Sequence, residues 1–316
     1  MKILRLPPNL KGRTFVAGDI HGSYSCVVQF LEKSGFDFDK DRFICAGDLV
    51  DRGPDNEACL KLIEEPWFFC TKGNHEQLME EWFDGDGVGL DWWMPNGGRW
   101  GMRYKHDTDQ MAVDVRRLVK KVKDLPYLIT VEMRNGEIFH VIHAELPPRT
   151  QHPITDADLA DPVKFKELAT SQTMDGDTII WGRYLFMPLY HATLDDHTIR
   201  KFKRGAELNK TAAIFNPGLS HIYSGHTIVK APVQFTGQTN LDTMAYGSYE
   251  AVGKYGTKEA PEWCGLTVTE PETGKFWFVN DREFKEVKPV VIDDIDNEPR
   301  GLADQPISDD GTFINI

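Results

Sequence analysis

Between Arg13 and Trp82 the chain repeats one pattern three times: an apolar run, a glycine-bearing turn, then an amphipathic helix. Arg13-Thr-Phe-Val-Ala17 reads as a short buried strand, Gly18 to Gly22 breaks it, and Ser23 stands as the cap of a helix carrying Val27, Phe30 and Leu31. Arg42-Phe-Ile-Cys-Ala46, the break Gly47 to Gly53, and a helix capped by Asp55 and carrying Leu60, Leu62 and Ile63 form the second unit. Trp67-Phe-Phe-Cys-Thr71, Gly73 and a helix with Leu78 and Trp82 form the third. Strands of this kind need cover on both faces, and the helices between them return the chain for the next strand, so the pattern predicts an α/β fold.

Further on, Val115, Leu118, Val119 and Val122 give helical spacing to a helix from Asp109 to Leu125, ended by Pro126. Glu137 to Ile142 and His221 to Ser224 read as strands, and Asp156 to Thr170 as one helix. Gly265 to Thr269 and Lys275 to Val279 read as a hairpin closed by Glu270-Pro-Glu-Thr-Gly274. The predicted organisation is one domain over residues 1–290, with insertions at about 147–215 and 243–262, followed by a tail over 291–316. In that tail Asp293, Asp294, Asp296, Glu298, Asp304, Asp309 and Asp310 face only Arg300, a composition that cannot hold itself in a core.

The formal net charge of −13 repels a nucleic-acid backbone, so stable nucleic-acid binding is not expected. No apolar run reaches the length of a membrane span, and Pro7 and Pro8 interrupt the N-terminal segment before a signal-peptide core. Cys26, Cys45, Cys59, Cys70 and Cys264 are odd in number and contain no C-x-x-C pair, which argues against a disulfide framework or a zinc–thiolate site. Cys45 and Cys70 read as small buried hydrophobes. A cytoplasmic location follows as the expectation.

In open α/β sheets ligands bind beyond the carboxyl ends of the strands. The polar residues that follow each apolar run are Asp19 and His21; Asp48, Asp51 and Arg52; Asn74 and His75; His143; and His226. Carboxylate, imidazole and amide without thiolate suit Mn, Fe or Zn, and there are more ligands than one ion needs. Two ions bridged by a carboxylate and a water form an arrangement that hydrolyses phosphate esters.

These residues sit in motifs that can be matched to a known family. Gly18-Asp-Ile-His-Gly22, Gly47-Asp-Leu-Val-Asp-Arg-Gly53 and Gly73-Asn-His-Glu76, followed in order by His143-Ala-Glu145, Trp181-Gly-Arg183, Gly225-His-Thr227 and Leu241-Asp-Thr243, resemble the phosphoprotein phosphatase branch of the calcineurin-like metallophosphoesterases. His-Ala at 143, with Asn96-Gly-Gly98 and Trp100 before it, is most similar to bacteriophage-lambda-type and bacterial phosphatases. The resemblance runs from about Thr14 to Phe278 and implies that family's fold, central sheets flanked by helices with a dimetal site at the carboxyl ends of the strands. It also implies two divalent ions, most simply Mn, with Fe or Zn as alternatives. Asp19 and His21 would hold the first ion, Asp48 would bridge, and Asn74, His143 and His226 would complete the second. Arg52 and Arg183 would clamp the phosphate, and His75, oriented by Asp51, would protonate the leaving oxygen. The implied activity is hydrolysis of phosphoserine and phosphothreonine in proteins, with phosphotyrosine as an extension, through a water bridging the metals. The alternative is hydrolysis of dinucleoside polyphosphates such as diadenosine tetraphosphate on the same site. The partner is accordingly a phosphoprotein or a small phosphate ester. The lengths between His143 and His226 and after Leu241 exceed those of the compact phage enzymes and leave the substrate open.

Other features have plainer readings. His106, His140, His152, His191, His197 and His221 read as structural, and Gly85-Asp-Gly-Val-Gly89 as a loop with no preceding strand to make it a nucleotide site. Trp82, Trp92, Trp93 and Trp100 read as packing of a small helical subdomain rather than a stacking platform for a base.

Overall fold

The computed structural model describes residues 1–85, 90–147, 153–171, 176–208, 218–247 and 261–292. The first half of the chain supplies β1 (Ile3–Leu6), β2 (Thr14–Ala17), α1 (Tyr24–Lys33), β3 (Arg42–Cys45), α2 (Asn56–Lys61), β4 (Phe68–Cys70) and α3 (Asn74–Asp84). After these come α4 (Leu90–Trp93), α5 (Gln110–Val122), β5 (Leu128–Glu132) and β6 (Ile138–Val141). The second half supplies α6 (Asp156–Ala160), α7 (Pro162–Ala169), α8 (Thr178–Trp181), α9 (Asp196–Leu208), β7 (His221–Ser224), β8 (Val233–Phe235) and β9 (Gln238–Asn240). The chain closes with β10 (Leu266–Glu270), β11 (Lys275–Val279), β12 (Phe284–Val287) and β13 (Val290–Ile292).

Two sheets result, a 7-stranded one in the order β1-β5-β6-β7-β9-β8-β13 and a 6-stranded one in the order β12-β11-β10-β2-β3-β4. The three sequence repeats lie side by side as the parallel strands β2, β3 and β4, with Ala17 opposite Cys45 and Cys45 opposite Cys70. Alternation along each strand decides which core a residue joins. Phe15, Phe43 and Cys45 face the helices, in one cluster with Phe30, Leu60, Leu78 and Val119. Val16, Ile44 and Ala46 face the other way and meet Ile129, Phe139 and Val141 of the second sheet. The sheets are therefore packed face to face, with helices on the outer face of each; α6, α7 and α8 contribute Leu159, Phe165, Ile179 and Ile180 to the cover of the seven-stranded sheet.

Several expectations change in detail. The helix expected over Asp156 to Thr170 is two helices, because Pro162 has no N–H to continue the first and Asp161 instead caps the second, accepting from Val163 N and Lys164 N. Ser23 and Asp55 occupy the cap positions of α1 and α2, but neither side chain accepts a capping hydrogen bond; their backbones (ψ 57° and 45°) lie outside the extended region from which a side-chain oxygen reaches the first turn. Asp109 does cap α5, through Ala112 N, and the helix ends at Val122 rather than Leu125. The hairpin forms as β10 and β11. Strand β13 takes in Val291 and Ile292, the first two residues of the stretch read as tail, and pairs with β8. Residues 293–316, residues 86–89, His152 and most of the insertion expected at 243–262 lie outside the described residues. All five cysteines are buried and free. His140 bonds Asp156 (2.9 Å) and Thr130 (3.0 Å), and His221 bonds Thr239 (2.8 Å), as structural histidines do.

Candidate metal centre

The carboxyl ends of β2, β3, β4, β6 and β7 open onto one buried cluster. The turns that carry it are strained: His21, Asp48, Asp51, Arg52 and His226 all have φ between 46° and 75°, a left-handed conformation that residues with a Cβ rarely adopt. What holds those turns is a web of backbone hydrogen bonds centred on Glu76. Its carboxylate is buried and accepts from Asp48 N (2.8 Å), Leu49 N (2.8 Å) and Gly73 N (2.9 Å), tying the turns after β3 and β4 together. Burial pushes Glu76 up to about 7. His21 N donates to Asp48 O at 2.8 Å, and His226 N donates to the Asp19 carboxylate at 3.1 Å, so the remaining turns are locked to the same frame.

All ten residues singled out by the motifs converge here. His21 Nδ1 lies 2.8 Å from Val50 O and His143 Nδ1 2.8 Å from Ala46 O, so each ring donates its Nδ1 proton to a carbonyl and turns the Nε2 lone pair inward. His143 Nε2 then faces Asn74 Oδ1 at 2.9 Å, His226 Nδ1 at 3.0 Å and Asp48 Oδ2 at 3.5 Å. On the other side of Asp48, His21 Nε2 lies 3.4 Å from Asp48 Oδ2 and 3.9 Å from Asp19 Oδ2. Asp48 thus stands between two groups of donors. The ligand atoms of Asp48, His143 and His226 fall within 4.8 Å of one another, as do those of His21, Asp48 and His75.

The electrostatics fit a cation. Burial lowers His21 and His226 well below the usual imidazole range and His143 to about 4, so these three rings offer neutral lone pairs at neutral pH. Burial raises Asp48 to about 7 and Asp19 well above its ordinary value, and the neighbouring Asp242 raises both further. Lone pairs of neutral imidazole, amide oxygen and carboxylates converge here. A divalent ion satisfies all of them at once, and the N/O donor set matches Mn, Fe or Zn.

Around this cluster sit the groups that can handle a substrate. Arg52 Nη1 lies 3.1 Å from His21 Nε2 and donates to the Tyr246 hydroxyl at 3.3 Å, with its guanidinium 5.0 Å from the Tyr246 ring centroid. Arg183 Nη1 donates to His226 O at 2.5 Å. His75 Nδ1 is 2.6 Å from Asp51 Oδ2, while its Nε2 is buried without a hydrogen-bond partner among the described residues, 3.8 Å from Asp48 Oδ2.

Four participants had no role assigned from the sequence. Glu76 lay inside a quoted motif, but nothing in a single glutamate says that it receives three backbone amides. Asp242 is buried, accepts from Met244 N at 2.9 Å and leaves Oδ2 unpartnered; the Leu241-Asp-Thr243 motif was its signal. Trp93 and Trp100 donate from Nε1 to the two oxygens of Asp51, at 2.8 and 2.7 Å. Their signal was the rule that a buried indole N–H seeks an acceptor.

The comparisons with known proteins agree with this geometry. The profile of the calcineurin-like phosphoesterase family matches residues 12–230. The chain is 28% identical over 232 residues to serine/threonine-protein phosphatase 1 of Salmonella typhimurium, covering 73% of this chain and 86% of that protein. It is 34% identical over 181 residues to serine/threonine-protein phosphatase 2 of Escherichia coli, covering 54% and 79%. It is also 44% identical over 146 residues to the symmetrical bis(5'-nucleosyl)-tetraphosphatase of Cellvibrio japonicus, covering 43% and 46%. With its strand-end motifs assembled into one buried donor cluster and the family profile spanning most of its length, the chain belongs to the calcineurin-like phosphoesterases and is a hydrolase of that family.

Proposed function

We propose that this metallophosphoesterase is a cytoplasmic phosphatase that removes phosphate from phosphoserine and phosphothreonine in proteins, and from phosphotyrosine as an extension of the same chemistry. Asp19, His21 and Asp48 would hold one divalent ion, and Asp48, Asn74, His143 and His226 a second, with Mn as the first choice and Fe or Zn as alternatives. Such ions, when bound, neutralise charge on the phosphoryl oxygens and lower the pKa of water. Arg52 and Arg183 flank the cluster and supply planar N–H forks suited to the remaining phosphate oxygens.

The observation that carries the reading is the His75–Asp51 pair. Burial disfavours charge on either partner, lowering His75 and raising Asp51. A neutral imidazole bonded to a carboxylic acid and an imidazolium bonded to a carboxylate hold the same number of protons. In either form one proton lies in the 2.6 Å bond and the other sits on Nε2, at the edge of the donor cluster. That proton is the one a departing alkoxide needs. Serine and threonine alkoxides are poor leaving groups and require it in the transition state, so a built-in donor favours protein phosphomonoesters. Support also comes from the extent of the matches, which take in most of each protein phosphatase but less than half of the tetraphosphatase.

The test is a leaving-group comparison. His75→Ala should slow a phosphoserine peptide about 10²–10⁴-fold, the usual range for general acid catalysis, and slow p-nitrophenyl phosphate by a much smaller factor. Equal losses on both, with metal content unchanged, would rule out the proton-donor role. Faster turnover of diadenosine tetraphosphate than of phosphopeptides by the unaltered protein would select the dinucleotide reading instead.

A further inference from the structure

The chain devotes an entire segment to Asp51, a residue that is not itself one of the proposed metal ligands. Its carboxylate is fully buried and accepts three N–H groups: His75 Nδ1 and Trp93 Nε1 on Oδ2, and Trp100 Nε1 on Oδ1. Its own N–H donates to Asn56 Oδ1 at 2.5 Å, which fixes the backbone in its left-handed turn. The indoles are themselves held in place. Trp93 is completely buried, with Trp82, Phe83 and Trp100 around it at centroid distances of 6.1–6.2 Å. A Cβ on either Gly98 or Gly101 would overlap the Trp93 ring, so both positions must be glycine for the segment to close on it. Gly97, at φ 107°, passes so near Arg52 that a Cβ there would stand 2.6 Å from its amide nitrogen. The Asn96-Gly-Gly98 motif therefore seats the tryptophan segment against the Asp51–Arg52 turn.

We infer that Trp93 and Trp100 are positioning residues of the phosphatase reaction, a pair of fixed N–H donors that orient the Asp51 carboxylate and so hold the His75 proton at the place where the leaving oxygen departs. An indole N–H can only donate. Unlike a hydroxyl or a water, it cannot reverse and offer Asp51 an acceptor, and it cannot remove the proton that Asp51 and His75 share. With both oxygens receiving donors, the carboxylate plane is set. Burial pushes Asp51 toward its protonated form, and the two indoles are the first two influences opposing that push. Trp93 and Trp100 thus serve a purpose beyond filling a helical subdomain, whereas Trp82 Nε1 has no hydrogen-bond partner among the described residues.

The inference rests on His75 as the proton donor, and the experiment separates the two. Trp93→Phe and Trp100→Phe keep a ring and delete the N–H. Replacement of Trp100 by β-(3-benzothienyl)alanine keeps the indole's shape as well, and covers the case in which a Phe variant fails to fold. Each variant is compared with Asp51→Asn on a phosphoserine peptide and on p-nitrophenyl phosphate, with metal content measured. Deleting a hydrogen bond to a charged group should lower phosphopeptide turnover roughly tenfold or more while p-nitrophenyl phosphate falls by a smaller factor. Because residues that act as a unit are non-additive, Trp100→Phe combined with Asp51→Asn should be scarcely slower than Asp51→Asn alone. Equal losses on the two esters in the tryptophan variants, beside a clear leaving-group bias in Asp51→Asn, would overturn the positioning role and leave the His75 reading intact. Absence of bias in Asp51→Asn itself would overturn both.

Discussion

Arg52 and Arg183 stand at the same cluster but are held differently. Arg52 is tied to Tyr246 and His21 through its side chain, and Arg183 to the backbone carbonyl of His226. Neither offers a lone pair, so neither can ligate a cation, and the role proposed for both is to meet an anion. Changing either to Ala should leave metal content unchanged and cut kcat/KM by at least about tenfold, since a charge-assisted hydrogen bond is worth roughly 1.5–3 kcal/mol. Loss of metal in Arg183→Ala, read by elemental analysis, would contradict that assignment. At this scale the sequence was informative where chemistry sits next to a strand end, because the apolar run locates the turn and the turn locates the side chain. It was silent where a role depends on a partner distant in sequence. Trp93 and Trp100 reach Asp51 across 42 and 49 residues, and a tryptophan-rich stretch looks the same whether its N–H groups have a target or not.

Among the elements, the parallel strands β2, β3 and β4 were legible because burial on both faces leaves a continuous apolar run. Strand β9 was not, although it is fully buried, because it reads Gln-Thr-Asn: Gln238 Nε2 donates to Ser224 Oγ and Asn240 Nδ2 to the Thr227 carbonyl, so polar side chains are housed inside and no apolar pattern marks them. Strand β12 is a half-exposed edge with little pattern of its own. Strand β13 was hidden by the acidic residues that follow it, and its recovery changes where the chain can be cut. Ile292 is buried with Phe202, Val233 and Phe235, and β13 closes an edge of the seven-stranded sheet. A chain ending after Ile292 should melt at the temperature of the full chain. One ending after Pro289 should be less stable by at least the roughly 1.5–3 kcal/mol of one buried aliphatic side chain, visible as a lower Tm. Identical melting of the two truncations would show that β13 contributes nothing.

For the molecule as a whole, two facing sheets deliver five loop turns to one buried cluster, and the cluster's protonation follows from that burial. Asp48 is raised to about 7 and Asp19 is raised as well, while His143 is lowered to about 4. At pH 6 the metal-free protein therefore holds a proton on Asp48 and none on His143. Metal must displace the Asp48 proton, so binding should release protons at pH 6, and affinity should rise with pH until it levels off above about 7. Calorimetry in buffers of different ionisation enthalpy reads the release directly; a metal affinity that is flat from pH 5.5 to about 7.5 would contradict it. The sequence conveyed which residues meet but not this degree of enclosure, which comes from the second sheet closing over the first.

A pair of divalent ions in this cluster should be required for phosphate-ester hydrolysis, and turnover of a phosphoserine peptide by protein stripped with chelator, with metal content determined alongside, reads that requirement directly. The stripped protein should be inactive, and titration with Mn²⁺ should restore turnover in proportion to the metal bound. Full activity in protein shown to be metal-free would contradict the account.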